Sequence, residues 1–255
     1  MNKVILMSID GMRPDGLLAC GNSFVKTMME KGAYALDART VMPSVTLPCH
    51  MSMFHSVPPE RHGITTNLYM PQVRPVNGIM EQVKLLGGKC AAFYGWEPMR
   101  DVWRPDSAKI SFFAHRTVEP DVDDVVTDYA LECIRRYHPD FVYLYQPDTD
   151  DTGHDRGWMS EAYLAKLSGA IANVERVLAE FGSEYTVILT ADHGGHDRSH
   201  GSDMPEDMTI PMFFFGPAFE PGKVLEEVSI LDIAPTVAAV MGIPCAPEWE
   251  GKSWA

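Results

Sequence analysis

The sequence is short of basic residues and has no local concentration of them. It contains 21 Lys and Arg against 35 Asp and Glu, which gives a formal net charge of -14 at pH 7. Such a balance repels a polyanion, and no run of Lys and Arg could neutralise phosphates locally. We therefore expect no binding to duplex nucleic acid. The acidic surplus is weak support for bound cations, since solubility alone commonly explains it.

Long hydrophobic runs and paired cysteines are also missing. No stretch approaches the roughly 18 apolar residues of a membrane helix. The apolar run 4–9 is too short for the core of a signal peptide and meets Asp10 directly. We therefore expect a cytoplasmic protein without membrane association. The five cysteines are odd in number and never spaced as Cys-x-x-Cys, so neither a disulfide framework nor a thiolate zinc site is predicted.

Apolar runs and helical patterns alternate along the chain. Runs bounded by turn signals are typical of strands buried on both faces of a parallel sheet. They lie at 4–9, 141–145, 186–190 and 211–215, with weaker candidates at 34–41 and 90–94. Helical patterns occupy 24–31, 123–137, 160–181 and 229–241, the last beginning with Ser229 and Asp232 at capping-box spacing.

This alternation predicts an α/β fold with a doubly wound, mostly parallel central sheet and helices on both faces. A chain of 255 residues suffices for one such domain, and we expect residues 1–255 to form it. The segment 67–120 is rich in Pro, Gly and aromatic residues. We interpret it as irregular structure that forms a small cap or insertion at one end of the sheet.

Three of the predicted strands run into an aspartate. Asp10 follows the first run directly, Asp150 lies five residues beyond Tyr145, and Asp192 lies two residues beyond Thr190. Each could be an ordinary turn or capping residue if considered alone. Because the carboxyl ends of parallel strands share one edge of an open sheet, however, we expect the three carboxylates to meet there.

Histidines accompany these aspartates. The sequence contains Asp150-x-x-Gly-His154 and Asp192-His193, followed by His196 and His200. Carboxylate and neutral imidazole are the ligands that zinc-like ions favour. The combination predicts a divalent metal site at the edge of the sheet.

A candidate nucleophile lies in the segment Pro-Ser-Val-Thr-Leu-Pro-Cys-His at 43–50. Thr46 precedes Leu47 and Pro48 as an N-cap precedes a helix with proline in its first turn. Such a helix would direct its free N–H groups and positive dipole end at a phosphate. A capping role alone explains this segment simply, but the metal ligands elsewhere in the chain favour a nucleophile.

Taken together, these motifs resemble the alkaline phosphatase superfamily, and most of all its nucleotide pyrophosphatase/phosphodiesterase branch. The similarity spans nearly the whole chain in the family's order. It rests on Ser8-Ile9-Asp10-Gly11-Met12-Arg13, the segment 43–50, Pro59-Glu60-Arg61-His62-Gly63-Ile64, Asn67, Asp150-x-x-Gly-His154 and Thr190-Ala191-Asp192-His193-Gly194.

The resemblance implies a metal-dependent hydrolase of phosphate esters, a phosphodiesterase or nucleotide pyrophosphatase that forms a phospho-Thr46 intermediate. It implies two divalent cations, with zinc expected and manganese or iron as alternatives. One would be held by Asp10, Thr46, Asp192 and His193, and the other by Asp150, His154 and a later histidine. We assign this last ligand to His200, which precedes Gly201 as in the family, with His196 as the alternative.

One departure from the family concerns the substrate. Cys49 stands where the phosphodiesterase branch usually has an asparagine that binds a phosphoryl oxygen, and a thiol is a weak donor. We expect Cys49, Asn67, Tyr69 and Trp96 to contact a small phosphate ester, with nucleotides among the candidates, because an aromatic ring can stack on a base.

Other activities on the same scaffold stay open. No Lys or Arg can be assigned to the site from the sequence, although Arg13, Arg61 and Arg198 lie near the motifs. This absence favours diesters over doubly charged monoesters. The alternatives are a phosphomonoesterase, a phosphonate hydrolase, a phosphomutase-like transferase and a non-catalytic cation-binding protein.

Overall fold

The computed structural model describes residues 1–255 and contains one seven-stranded sheet. All residues of the three central strands except Lys3 are buried. The strands are β1 (Lys3–Ile9), β2 (Ala33–Arg39), β3 (Cys90–Tyr94), β4 (Ala108–Phe113), β5 (Phe141–Gln146), β6 (Tyr185–Thr190) and β7 (Thr209–Phe215).

The strand order β2-β7-β6-β1-β5-β3-β4 places β1 at the centre of the sheet. Strands β1, β3, β4, β5 and β6 are parallel, whereas β7 runs antiparallel to both β6 and β2. Ser8 of β1 is level with Tyr145 of β5 and with Thr190 of β6. This register brings the carboxyl ends of β1, β5 and β6 to the same edge.

Helices cover both faces of the sheet, as predicted. One group packs around α3 (Thr46–His55) and α10 (Ile233–Met241), and α10 contacts β1. The other packs around α6 (Val122–Tyr137), which contacts β5, and α8 (Glu161–Phe181), which contacts β6. No helix combines the length and apolarity needed to cross a membrane. The helices are α1 (Pro14–Ala19), α2 (Phe24–Lys31), α3 (Thr46–His55), α4 (Pro59–His62), α5 (Ile79–Leu85), α6 (Val122–Tyr137), α7 (Asp148–Arg156), α8 (Glu161–Phe181), α9 (Pro205–Met208) and α10 (Ile233–Met241), with short 3-10 turns at Glu97–Asp101 and Ile230–Asp232.

The segment 67–120 contains more regular structure than the predicted mixture of irregular structure and short elements, and the weaker strand prediction at 90–94 is confirmed as β3. It contributes α5, and its strands β3 and β4 extend the central sheet beyond β5. Strand β4 alternates half-buried and exposed residues because it forms the sheet edge, so it lacks the continuous apolar run of a buried strand. Irregular structure lies before α5, at 63–78, on the N-terminal side of β4, at 102–107, and after β4, at 114–120.

The C-terminal segment is tied to the body of the protein through Asp232. Its buried carboxylate accepts hydrogen bonds from the N–H of Ser229 at 3.0 Å, the N–H of Lys252 at 2.9 Å and the indole of Trp254 at 2.9 Å. The first of these bonds completes the predicted capping box. Next to this anchor, Gly251 donates its N–H to the hydroxyl of Ser56, at the end of α3.

We expect Asp232→Ala to lower the free energy of unfolding by about 3 kcal/mol, because three donors would lose a charged, buried acceptor. Ser229→Ala removes a single capping contact and should cost only about 1 kcal/mol. Urea denaturation of both variants measures the difference. Equal losses would contradict the anchoring role of the carboxylate.

Candidate active site

Six ligand-type side chains gather at the carboxyl edge of the sheet in two groups. We call Asp10, Asp192 and His193 the inner cluster, and Asp150, His154 and His200 the outer cluster; within each, the potential ligand atoms lie within 4.8 Å of one another. The rings of His193 and His200 stack with centroids 3.8 Å apart, so the two clusters adjoin. The three strand-end aspartates thus meet as the sequence predicts.

The inner cluster is buried and follows the two central strands. Asp10 comes directly after β1, and Asp192 and His193 lie just beyond β6. The Nε2 atom of His193 lies 3.3 Å from Oδ1 of Asp10 and 3.3 Å from Oδ2 of Asp192. All three side chains are almost wholly shielded from solvent.

The outer cluster is more open and depends on helix α7. Asp150 and His154 are separated by one helical turn and therefore point the same way. His154 Nε2 lies 3.4 Å from Oδ2 of Asp150, and His200 Nε2 lies 3.7 Å from Oδ1. The side chain of His154 is 42% exposed, in contrast to the inner cluster.

Gly11 allows the two clusters to come close together. It has a φ of +66°, and a Cβ atom there would lie 3.1 Å from Oδ1 of Asp150. Its N–H is 3.3 Å from Oδ1 of Asp192, to which it donates. A side chain at this position would be strained and would push against the outer cluster.

The three imidazoles of the clusters share one orientation. In each, Nδ1 donates to a backbone carbonyl, which leaves Nε2 as the unprotonated atom of the neutral ring. The acceptors are Gly194 O for His193 at 2.8 Å, Arg198 O for His154 at 2.9 Å and Ser44 O for His200 at 2.9 Å. Burial, followed by repulsion from His193, lowers the pKa of His200 to about 3, so this ring stays neutral.

The carboxylates are incompletely satisfied by the protein itself. Oδ1 of Asp10, Oδ1 of Asp150 and Oδ2 of Asp192 are buried without any hydrogen-bond partner. An unpaired buried acceptor is costly, and three adjacent ones call for positive charge. Together with three Nε2 atoms in ligand form, this donor set fits divalent cations of the zinc type.

The pKa values of the carboxyl groups reflect the same crowding. Burial, and then repulsion from the other carboxylates, raises the pKa of Asp10 and of Asp150 well above the ordinary value. Burial alone would also raise the pKa of Asp192, but His193 and His50 beside it lower it below that value. Asp192 is therefore the acid that the protein itself keeps ionised.

Thr46 is the first residue of α3, and Val45 occupies the N-cap position, so the predicted capping role of Thr46 is wrong. The Thr46 side chain is instead free to face the inner cluster, with Oγ1 3.2 Å from Nε2 of His193. Since that nitrogen is unprotonated, the hydroxyl donates the hydrogen bond. The helix thus presents a buried hydroxyl beside its N-terminal end.

His50 holds the start of α3 against the inner cluster. Its Nδ1 donates to the carbonyl of Thr46 at 2.7 Å and lies 3.5 Å from Oδ2 of Asp192. Its Nε2 is 3.3 Å from the hydroxyl of Ser8 in β1. His50 therefore connects the candidate nucleophile to two strand ends.

Of the four residues predicted to contact substrate, two lie at the site. Asn67 and Trp96 line a cleft of about 470 Å³ together with Thr46 and members of both clusters. Asn67 accepts a hydrogen bond from the N–H of Leu47 through Oδ1 at 3.0 Å. Its amide NH₂ therefore stays available near the N-terminal end of α3.

The other two predicted contacts are corrected by the structure. Cys49 is wholly buried, and its thiol accepts a hydrogen bond from Thr40 at 3.2 Å, on a part of α3 that does not line the cleft. Tyr69 lines a different cavity, with Trp103 and Arg104. Asn67 lines the cleft, whereas Tyr69, with only Leu68 between them in the chain, lies outside it.

His196 lies outside both clusters. Its Nδ1 is 2.7 Å from Oδ1 of Asp207, a buried carboxylate that also accepts from Ser202. This hydrogen bond raises the pKa of His196 and favours its charged form, which cannot bind a metal. The geometry therefore favours His200 over the alternative.

Several residues of the cleft are not among those predicted from the sequence. Arg116, Glu97 and Asp151 line it, whereas Arg13, Arg61 and Arg198 do not. Tyr145 lines it too and donates its hydroxyl to Oδ2 of Asp10. Tyr145 could have been inferred because it lies near the end of a strand that leads to the site, but Arg116 lies in an irregular segment with no motif.

The fold of this chain is similar to that of known structures. Murine ectonucleotide pyrophosphatase/phosphodiesterase 5 superposes with a TM-score of 0.83 at 16% identity, over 98% of each chain. A phosphonate monoester hydrolase from Silicibacter pomeroyi gives 0.81 at 14% identity, over 100% of this chain and 76% of that one. The fold is that of the alkaline phosphatase superfamily.

The family within it follows from the sequence. Residues 4–203 match the family described as type I phosphodiesterase / nucleotide pyrophosphatase, and the chain belongs to that family.

Curated relatives match the chain only over part of their own length. A phosphoglycerate mutase of the 2,3-bisphosphoglycerate-independent type from Aeromonas salmonicida is 29% identical over 135 residues, 50% of this chain and 25% of the relative. GPI ethanolamine phosphate transferase 2 from Aspergillus fumigatus is 24% identical over 274 residues, 95% of this chain and 35% of the relative. The chain thus spans a quarter to about a third of these two proteins.

The unpaired carboxylates predict an unusual response to Asp150→Asn. In EDTA the variant should be more stable than the parent, because it removes a carboxyl group whose ionisation is disfavoured by burial and by the neighbouring carboxylates, a cost of about 1–3 kcal/mol. The pKa of Asp150 is raised in the folded parent, so the folded protein keeps a proton at pH values above 3.8, where the unfolded chain has released it. The parent therefore becomes less stable relative to its unfolded state as pH rises, and the advantage of the variant should grow.

Thermal unfolding from pH 5 to 8 measures the difference, and the histidine contributions cancel because both proteins contain them. Saturating zinc or manganese should reverse the order, since a bound ion stabilises the parent. A variant less stable than the parent in EDTA at pH 8 would contradict the crowding of the carboxylates.

Proposed function

We infer that the protein is a two-metal hydrolase of phosphate esters that acts on phosphodiesters through a phospho-Thr46 intermediate. The observation that carries this proposal is the set of three unpaired, buried carboxylate oxygens beside three imidazole Nε2 atoms and the Thr46 hydroxyl. Membership of the phosphodiesterase family supports the same reaction class.

We propose that each cluster supplies ligands to one cation. The inner cluster with the Thr46 hydroxyl would hold one ion, and the outer cluster would hold the other. The mixed carboxylate and imidazole set suits zinc and also accepts manganese or iron. When bound, the ions would lower the pKa of the Thr46 hydroxyl and offset negative charge on the phosphoryl group.

The residues of the chain supply the geometry of the transfer. Thr46 Oγ1 attacks phosphorus, a bond to Thr46 forms, and the bond to the leaving alcohol or phosphate breaks on the opposite side. Asn67 offers its NH₂ group to a phosphoryl oxygen, the role for which Cys49 is too deeply buried. Water then cleaves phospho-Thr46 and restores the hydroxyl.

The cleft suggests the class of substrate. Trp96 forms an aromatic surface on the wall of the cleft and is suited to stacking on a base. The volume of the cleft, about 470 Å³, matches a small ester. An inactive form of the murine protein with the same fold has been solved in complex with AMP, which makes nucleotides the first diesters to assay. Monoester or phosphonate hydrolysis and transfer to an acceptor alcohol are the competing outcomes of that assay.

We expect Thr46→Ala to lower kcat/KM on bis-p-nitrophenyl phosphate by about 1000-fold or more while two metal ions per chain are retained, because the nucleophile is lost whereas Asp10, Asp192 and His193 remain as ligands of the inner ion. Thr46→Ser keeps a hydroxyl and should stay within about 100-fold of the parent. Steady-state kinetics, with metal content measured on the same samples, provides the test. An alanine variant with the parent rate would exclude Thr46 as nucleophile.

Metal content also tests the choice between the two histidines. His200→Ala should reduce bound metal from two ions per chain to about one, because it removes one of three side-chain ligands of the outer cluster. His196→Ala should retain both ions, since His196 contacts Asp207 instead. Loss of metal from the His196 variant alone would reverse the assignment.

A further inference from the structure

Arg116 is the one Lys or Arg residue that lines the active-site cleft. It lies between β4 and α6, and its guanidinium is held by two carboxylates of α7. Nη1 donates to Oδ1 of Asp151, and Nη2 lies 3.7 Å from Oδ2 of Asp155. The only fixed positive side chain in the cleft is therefore already paired.

Helix α7 presents two adjacent stripes of residues at the cleft. Asp150 and His154 form one stripe and belong to the outer cluster. Asp151 and Asp155, each one residue further along, form the other and bind Arg116; Asp151 lines the cleft and Asp155 lies outside it. Arg116 lines the same cleft as all three residues of the outer cluster, so the guanidinium is anchored beside the proposed metal site.

The pairing leaves no uncompensated positive side chain for a doubly charged substrate. Among the other lining residues, Glu97 adds negative charge and already pairs with Arg100, which does not line the cleft. A phosphate monoester carries close to two negative charges above its second pKa of about 6, whereas a diester carries one. The monoester therefore needs one more cationic contact, which the paired Arg116 does not supply.

The ion pair is also weak enough to be exchanged. The side chains of Arg116 and Asp151 are 52% and 34% exposed, and solvent-exposed pairs contribute little to stability. A released guanidinium has a long, flexible stem and can bind a phosphoryl group through two parallel hydrogen bonds.

We propose that the Arg116–Asp151 ion pair determines the choice between esters: by occupying the guanidinium it disfavours dianionic monoesters and leaves monoanionic diesters as substrates. The inference rests on the proposed hydrolase function. It makes Arg116 and Asp151 specificity-determining residues of the same site.

Asp151→Asn tests the proposal because it weakens the pair without adding a charged group. Rates are compared at pH 8 for p-nitrophenyl phosphate and methyl p-nitrophenyl phosphate, which share a leaving group. The ratio of kcat/KM for monoester over diester should rise about tenfold, the effect of one added charge-assisted contact. In an Arg116→Gln background the same change should shift the ratio less than about twofold.

Glu97→Gln is the matched control, since it removes one negative charge from the cleft and leaves Arg116 paired. Its ratio should stay within about twofold of the parent. A rise equal to that of Asp151→Asn, or a full rise in the Arg116→Gln background, would overturn the proposal in favour of a general field effect.

A binding measurement separates this proposal from the proposed function. Titration of the metal-loaded Thr46→Ala protein with inorganic phosphate and with dimethyl phosphate requires no turnover. Asp151→Asn in that background should tighten phosphate about tenfold and leave dimethyl phosphate unchanged. Unchanged phosphate affinity would refute the role of the ion pair. Tighter phosphate binding, together with no hydrolysis by the protein that retains Thr46, would refute only the proposed hydrolase function.

Discussion

The mutual repulsion of three buried carboxylates is the constraint around which this protein is organised. Asp10, Asp150 and Asp192 come from three different strand ends, and no contact within the chain fully satisfies them. Their proximity is unfavourable unless positive charge is supplied. The fold maintains it because the strands that lead to them are buried and hydrogen-bonded on both sides at the centre of the sheet.

Much of this arrangement could be predicted from the sequence because it follows from periodicity. The apolar runs before Asp10 and Asp192 are strands within a residue or two of the predicted limits, and α2 begins and ends at the predicted residues. Parallel strands must end on one edge, so the convergence of the acids required only the order of elements. The two histidine-containing motifs predicted a metal site, and the structure brings their ligand-type atoms within 4.8 Å of those of the aspartates in each cluster.

The remainder depends on tertiary contacts that no local pattern records. Strand β4 lies at an edge, so its alternating residues did not form an apolar run. Cys49 is predicted at the substrate because it stands where the phosphodiesterase branch usually has a phosphate-binding asparagine, yet the rotation of α3 turns its thiol toward Thr40. Arg116 reaches the cleft from an irregular segment, and only the position of α7 determines its partners.

The junction of Ser56 with the last residues of the chain has a practical consequence. Ser56 ends the helix that begins with Thr46, and it accepts hydrogen bonds from both Glu250 and Gly251. The end of α3 opposite Thr46 is thus held by the segment 250–251. A tag or insertion placed within that segment would break both hydrogen bonds and loosen the helix that carries Thr46.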